Sequence, residues 1–112
     1  HRDKVDSPSG TAIELGNLAA GAKNQQLSDV AKYNREGISN PRKRGEIGFV
    51  SIRGGDIVGE HKVVFAGTAE RIEVGHIATS RELFCAGALL AANWTKNKTK
   101  GLFDMLDVLG FK

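Results

Sequence analysis

Hydrophobic residues near the start of the chain recur at helical spacing. From Thr11 to about Asn24 the apolar positions fall three or four residues apart, and Thr11 with Glu14 fits a capping box at the helix entry. This pattern predicts an amphipathic helix whose apolar face comprises Ala12, Leu15, Leu18, Ala19 and Ala22. A short strand over about 29–33 is expected next, and then a polar loop over 35–45 that contains glycine and proline.

The middle of the chain carries three stretches that are rich in β-branched residues. They are IGFVSIR (47–53), IVGEHKVVF (57–65) and RIEVGHIA (71–78), and only GGD and AGTAE turns separate them. Connections this short join antiparallel neighbours, so the pattern predicts an antiparallel meander.

A second helix is predicted after the meander. Ser80 can cap a helix that runs to about Thr95. Its apolar residues leave almost no polar face. They are Leu83, Phe84, Ala86, Leu89, Leu90, Ala92 and Trp94. We expect this helix to be largely buried, together with the single cysteine, Cys85, which we interpret as a spectator thiol. The stretch GLFDMLDVLGF at the end predicts a short amphipathic tail.

Both faces of the predicted sheet are partly apolar. Because strand side chains alternate, Ile47 and Phe49 fall on one face, and Val50 and Ile52 fall on the other. The chain supplies only about two helices to cover them. We therefore predict an α+β fold with a mixed, largely antiparallel sheet of about four strands, two helices packed on one face, and the other face used for homo-oligomerisation.

Composition and charge narrow the classes of function. The 112 residues are 40% hydrophobic and 26% charged, and no signal peptide or membrane span is apparent, so we expect a cytoplasmic protein. The net charge is +3, but the basic clusters 42–44 and 96–100 lack the stacking aromatics or reading motif of a nucleic-acid site. We interpret them as solvated loops, with a polyanion site or attraction of small anionic ligands as alternatives.

The opening stretch HRDKVDSPSGTA concentrates groups that bind and protonate anions. Ser9, Gly10 and Thr11 lead into the first helix, where free backbone N–H groups, hydroxyl donors and close backbone approach suit a carboxylate or phosphate. Taken alone, these residues are more simply a capped helix start. Lys4 and His1 change that balance, because they can supply charge and a transferable proton to the same ligand. The cluster favours a polycarboxylate or a phosphorylated small molecule over a protein partner.

Other titratable residues have less specific roles. Asp6 either orients Lys4 or closes the turn. His61 and His76 lie in predicted strands, and the nearest acidic residues do not have metal-ligand spacing. We therefore predict two structural histidines and no metal site.

Several blocks of the chain together resemble one enzyme family. HRDKVDSPSGTA strongly resembles the motif of dihydrodipicolinate reductase, also called 4-hydroxy-tetrahydrodipicolinate reductase. Later blocks look like those of the same family, in its order: REG (35–37), GDIVGEHKVVFAG (55–67), ERIEVGHIATSR (70–81) and GLFDMLDVLG (101–110). The resemblance implies that residues 1–112 are a C-terminal domain that binds substrate and assembles a homotetramer, while the Rossmann dinucleotide-binding domain lies outside them.

The resemblance also implies roles for individual residues. Lys4 matches the lysine proposed to donate a proton, and His1 matches a substrate-contacting histidine, the second of a pair whose catalytic first member would precede it. Ser9, Gly10 and Thr11 match the turn that holds a substrate carboxylate. For Arg81, which matches an arginine near the join with the other domain, a cofactor contact and a structural role both stay open.

The activity that the resemblance implies is a hydride transfer. NADPH or NADH would reduce a small cyclic dicarboxylate, dehydrated 4-hydroxy-tetrahydrodipicolinate, to tetrahydrodipicolinate in lysine and diaminopimelate biosynthesis. This domain alone is expected to be inactive. The alternative is a stand-alone anion-binding or assembly module without catalysis.

Overall fold

The computed structural model describes all 112 residues, from His1 to Lys112. Eight regular elements follow in the order α1 (Gly10–Gly21), α2 (Leu27–Val30), β1 (Ala31–Lys32), β2 (Ile47–Gly48), β3 (Gly59–Ala66), β4 (Arg71–Ala78), α3 (Glu82–Thr95) and α4 (Met105–Val108). The chain divides into two compact units, His1–Ile77 and Ala78–Lys112.

Helix α1 begins at Gly10 because Ser9 caps it. Ser9 has extended backbone angles, and its hydroxyl accepts a hydrogen bond from the backbone N–H of Ala12 at 3.2 Å. The helix is therefore confirmed, but the predicted capping box of Thr11 and Glu14 is wrong. Thr11 already lies in the first helical turn, two positions past Ser9, which is the cap.

The predicted single sheet of about four strands is wrong. Strands β1 and β2 form one two-stranded parallel sheet, with Ala31 opposite Ile47 and Lys32 opposite Gly48, while β3 and β4 form a second. The strand expected at 29–33 is shorter than predicted, because its first residues belong to α2.

The predicted strand over 47–53 is mostly irregular. Only its first two residues pair with another strand, and beyond them Val50 and Ile52 are 88% and 83% exposed. The tendency of β-branched residues to form strands reflects packing against neighbouring strands, so this stretch leaves the sheet where its neighbour ends.

The hairpin of β3 and β4 confirms the two later predicted strands. The N–H of Gly67 donates to the carbonyl of Glu70 at 2.8 Å and closes the tight connection between them. Along β3, half-buried residues alternate with exposed ones, and α1 contacts this strand. On β4 only Ala78 is buried, so both faces of the hairpin keep exposed apolar side chains.

The buried core is small. The buried apolar residues are Ala20 and Leu27 in the first unit and Ala78 in the second. Close packing in the first unit depends on Gly16, since a Cβ atom there would lie 2.4 Å from Cζ of Phe49. The Phe49 ring in turn stacks on Tyr33, with 5.1 Å between the ring centroids.

Helix α3 of the second unit forms where it was predicted, and the Ser80 hydroxyl accepts from the Glu82 N–H at 3.1 Å near its start. The prediction that this helix is buried is wrong, because none of its residues is buried. Cys85 is exposed, which also contradicts the prediction. An apolar sequence indicates that the surface of a helix is buried in the functional protein. It does not show that residues of the same chain bury it.

The terminal tail contains the short helix α4. The carboxylate of Asp104 accepts from the backbone N–H groups of Leu106 and Asp107, and the Asp107 carboxylate accepts from the Asp104 N–H, which completes a capping box. The Trp94 ring meets the Phe103 ring edge-on, with 5.1 Å between centroids. The tail is thus held by an aromatic contact with α3.

Candidate functional site

The opening segment folds into a turn that presents Lys4. The Lys4 backbone N–H donates to the carbonyl of His1 at 3.3 Å. The Lys4 ammonium lies 2.7 Å from one carboxylate oxygen of Asp6 and 3.0 Å from the other. Of the two roles suggested for Asp6, the contact matches the first, which is to orient Lys4.

The ion pair changes the acidity of Asp6. The hydrogen bond from Lys4 lowers the pKa of the Asp6 carboxyl below its usual value of 3.8, and the nearby charge of Arg53 adds to the effect. The carboxylate is therefore ionised at neutral pH and available to hold the ammonium.

A second segment, residues 52–57, holds the opening segment in place. Arg53 Nη2 donates to the backbone carbonyl of Asp6 at 2.7 Å. Arg2 makes a two-pronged ion pair with Asp56, with both N to O distances 3.3 Å. Sequence reasoning did not identify these contacts, and the only signal in the sequence was a pair of opposite charges, Arg53 and Asp56, on either side of two glycines.

In the predicted carboxylate turn, Ser9–Thr11, the Ser9 hydroxyl has a structural role and the groups of the other two residues are accessible. Ser9 is 8% exposed, and its hydroxyl is engaged as the helix cap. Gly10 and Thr11 are exposed, nothing lies within 4 Å of a Cβ built on Gly10, and the Thr11 hydroxyl makes no hydrogen bond. The open donors at the start of α1 are thus the backbone N–H groups and the Thr11 hydroxyl.

The remaining two predicted site residues lie in different units. His1 is exposed, and its backbone nitrogen donates to the carbonyl of Ile57 at 2.9 Å, while its ring makes no hydrogen bond. Arg81 belongs to the second unit, where it occupies the N-cap position of α3 without a side-chain capping bond. His1, Lys4, Ser9, Gly10 and Thr11 thus lie on one continuous segment of the first unit, and Arg81 does not belong to it.

An open cleft of about 370 Å³ lies beside this segment in the first unit. Ser7 and Pro8 form part of its lining, together with the stacked Tyr33 and Phe49. The predicted ligand-binding residues Lys4, Gly10 and Thr11 are not among its lining residues. The cleft is thus a neighbour of the candidate site rather than its centre.

The histidines and basic clusters considered in the sequence analysis do not form a second candidate site. His61 is half-buried and His76 is exposed, and neither ring is hydrogen-bonded, so their interpretation as satisfied structural histidines is not supported. No three histidine, cysteine, aspartate or glutamate side chains are grouped so as to hold a metal ion. Among the basic clusters, Lys98 lies 4.1 Å from the Trp94 ring centroid, which is a cation–π contact within the second unit.

The arrangement around Lys4 can bind an anion and supply a proton. An ammonium group is held by a carboxylate a few residues before a helix start that offers free N–H groups and a hydroxyl. Positive charge and oriented donors favour a carboxylate or phosphate, and the ammonium is an acid that can protonate a basic carbon or oxygen. No helix of the chain is long and apolar enough to cross a membrane.

Comparison with known proteins identifies relatives over the full chain. Residues 1–109 match the family described as dihydrodipicolinate reductase, C-terminus. The 4-hydroxy-tetrahydrodipicolinate reductase of Nitrosospira multiformis is 55% identical over 112 residues, which is 100% of this chain and 42% of that protein. The enzyme of the same name from Dinoroseobacter shibae is 56% identical over 98% of this chain and 41% of its own length.

A third relative agrees with these two. The 4-hydroxy-tetrahydrodipicolinate reductase of Polynucleobacter necessarius is 54% identical over 100% of this chain and 42% of its own length. The chain spans about two fifths of the length of these relatives, and the resemblance stated from its motifs is confirmed. The chain belongs to the dihydrodipicolinate reductase C-terminal family.

Proposed function

We propose that this chain is the substrate-binding domain of a reductase that converts 4-hydroxy-tetrahydrodipicolinate, after loss of water, to tetrahydrodipicolinate. The observation that supports this proposal most directly is the ion pair between Lys4 and Asp6. It lies on the segment that leads into the start of α1, where backbone N–H groups are free. The family match and the names of relatives at 54–56% identity support the reaction class.

Substrate binding is assigned to the start of α1. A carboxylate of the cyclic substrate accepts from the N–H groups of Gly10 and Thr11 and from the Thr11 hydroxyl, which are exposed in the structure. Ser9 supports this turn as the helix cap. His1 contacts the substrate from the same segment.

Proton donation is assigned to Lys4. Reduction of a conjugated carbon–carbon double bond adds hydride to one carbon and leaves an electron pair on its neighbour. That neighbour takes a proton from the Lys4 ammonium, and the neutral amine recovers its proton from water. An ammonium fixed by a carboxylate suits this step, because it is charged and oriented before the substrate arrives.

The residues of this chain do not contain a Rossmann dinucleotide-binding motif. The only parallel strand pair has two residues per strand, and no Gly-rich G-x-G-x-x-G loop joins a strand to a helix. NADPH or NADH, bound mainly by the part of the full-length reductase outside this chain, supplies the hydride. Arg81 either contacts that cofactor or serves the structure of α3.

A homotetramer formed through the hairpin completes the proposal. Val64, Phe65, Ile72 and Val74 are 47–61% exposed on β3 and β4, and a second copy would cover them. Sedimentation of the full-length protein at micromolar concentration is expected to give a tetramer, and a monomer alone would contradict this part. We also propose a cytoplasmic location, as expected for an enzyme of lysine biosynthesis.

Steady-state kinetics of the full-length reductase test the proposal. Lys4→Ala is expected to lower turnover by about 10²- to 10⁴-fold with little change in the affinity for NADPH, because general acid catalysis contributes about that much. Lys23→Ala is the matched control, since Lys23 is exposed and makes no ion pair. Unchanged turnover in Lys4→Ala would contradict the catalytic assignment. Absence of any NAD(P)H oxidation by the wild-type protein would favour the stand-alone binding module.

A further inference from the structure

We propose that Arg53 is a positioning residue for the reaction, acting on Lys4 through Asp6. This inference rests on the proposed function, because it assigns Arg53 to the geometry of the proton donor. Arg53 does not touch Lys4. It donates from Nη2 to the backbone carbonyl of Asp6 at 2.7 Å, while the Asp6 carboxylate holds the Lys4 ammonium at 2.7 Å.

The hydrogen bonds of Arg53 restrain both its own guanidinium group and the backbone of Asp6. Arg53 also donates from Nη1 to the carbonyl of Ile52 at 3.2 Å, so its guanidinium is tied to its own segment as well as to Asp6. Hydrogen bonds from a charged donor are short and strong compared with neutral ones. The carbonyl and the carboxylate belong to the same residue, so fixing the Asp6 backbone restricts where its carboxylate can hold Lys4.

Two further contacts show that the segments run in opposite directions. His1 is hydrogen-bonded to Ile57, Arg2 to Asp56, and Asp6 to Arg53. The residue numbers rise along the first segment while those of their partners fall along the second. Gly55 has a φ of +54°, a conformation that L side chains rarely adopt, and it forms the turn between Arg53 and Asp56. The second segment is therefore shaped to hold the first at several points.

The contacts between the two segments are better suited to positioning Lys4 than to stabilising the whole fold. The Arg2 and Asp56 side chains are 76% and 68% exposed, and exposed ion pairs contribute little to folding free energy. A displacement of about 1 Å at a catalytic group, by contrast, can lower a rate by about two orders of magnitude. The hydrogen bond between Arg53 and Asp6 is likewise exposed, so its loss should affect turnover much more than folding.

A double-mutant cycle in the full-length reductase tests this role. Arg53→Ala is expected to lower kcat about tenfold or more when Lys4 is present, but less than twofold in a Lys4→Ala background, because the group it positions is then absent. The Kd for NADPH should not change. Arg53→Lys, which keeps a charged donor, should recover part of the lost kcat. Arg44→Ala is the matched control, since Arg44 is exposed and makes no ion pair or side-chain hydrogen bond.

The outcomes separate this inference from the proposed function. An equal loss of kcat from Arg53→Ala in both backgrounds, or no loss in either, would overturn the positioning role while leaving Lys4 as proton donor. If Lys4→Ala has normal turnover, the assignment of Lys4 as proton donor fails and the positioning role fails with it, whereas the proposed function itself fails only if the wild-type protein oxidises no NAD(P)H. If Arg53→Ala does not fold, the same cycle with Arg53→Gln and Arg53→Lys decides, because both keep a side-chain donor.

Discussion

The Lys4 ammonium lies 2.7 Å from a carboxylate oxygen of Asp6, two residues further along the chain. We expect Lys4→Met to raise the pKa of Asp6 toward its usual value of 3.8, since the Lys4 hydrogen bond is the main cause of the lowered pKa. Carbon-detected NMR titration of the Asp6 carboxyl measures this. A pKa that stays low in Lys4→Met would show that another group holds the carboxylate.

The same shift sets a pH dependence. Because the pKa of Asp6 is lowered in the folded protein, the ion pair's contribution is fully present above pH 3.8 and is lost as the pH falls through the lowered pKa. The wild-type titration should therefore lie on the acidic side of pH 3.8. The Asp6→Asn variant should lose the corresponding change in the Lys4 side-chain resonances.

Ser9 and Thr11 should respond differently to loss of their hydroxyl groups. Ser9→Ala removes the cap of α1 and is expected to lower the free energy of unfolding by about 0.5–2 kcal/mol. Thr11→Val removes an exposed donor and should weaken substrate binding by about 1–2 kcal/mol, or about 5- to 30-fold in Kd, with little effect on stability. Calorimetric binding and chemical unfolding of both variants test the distinction. An unchanged substrate Kd in Thr11→Val would contradict its place in the carboxylate turn.

Gly16 is required by packing rather than by backbone conformation. Alanine at this position would place its Cβ 2.4 Å from Phe49 Cζ, so the Phe49 ring, which stacks on Tyr33, would have to shift. Gly21→Ala is the matched control in the same helix, with nothing within 4 Å of its Cβ. We expect Gly16→Ala to be less stable than Gly21→Ala by about 1–3 kcal/mol, the usual range for overpacking. Equal unfolding midpoints in the two variants would refute this packing account.

The edge-on contact between Trp94 and Phe103 should stabilise the tail. Phe103→Leu is expected to lower stability by about 0.5–1.5 kcal/mol and to shift the indole N–H resonance of Trp94. Phe111→Leu serves as the control, since Phe111 is 77% exposed and makes no aromatic contact. An unaltered Trp94 resonance in Phe103→Leu would show that the tail is not held by this ring.

Features that depend on local sequence were predictable. The hairpin was recognised from two β-branched runs joined by a tight turn, and α1 and α3 from their apolar spacing. The Lys4 segment was singled out because its charged and hydroxyl residues all lie within positions 1–11. In each case the residues that determine the feature lie within a few positions of one another.

Features that depend on distant partners were not predictable. The apolar sequence of α3 indicated burial, yet the helix is exposed, because the pattern does not identify what covers it. The run over 47–53 has strand-forming residues, but no neighbouring strand extends beside most of it. The bond between Arg53 and Asp6 joins residues 47 positions apart, and neither residue type suggests the other.

That separation has a consequence for synthesis of the protein. Asp6, which holds Lys4, leaves the ribosome 47 residues before Arg53, the side chain that fixes the Asp6 backbone. Until Arg53 has emerged, the Lys4 segment has no partner to set its path, and closing so long a loop is slow compared with forming a helical turn. The proposed proton-donating site is therefore a late product of folding, completed only after the first helix and the chain up to residue 57 are available.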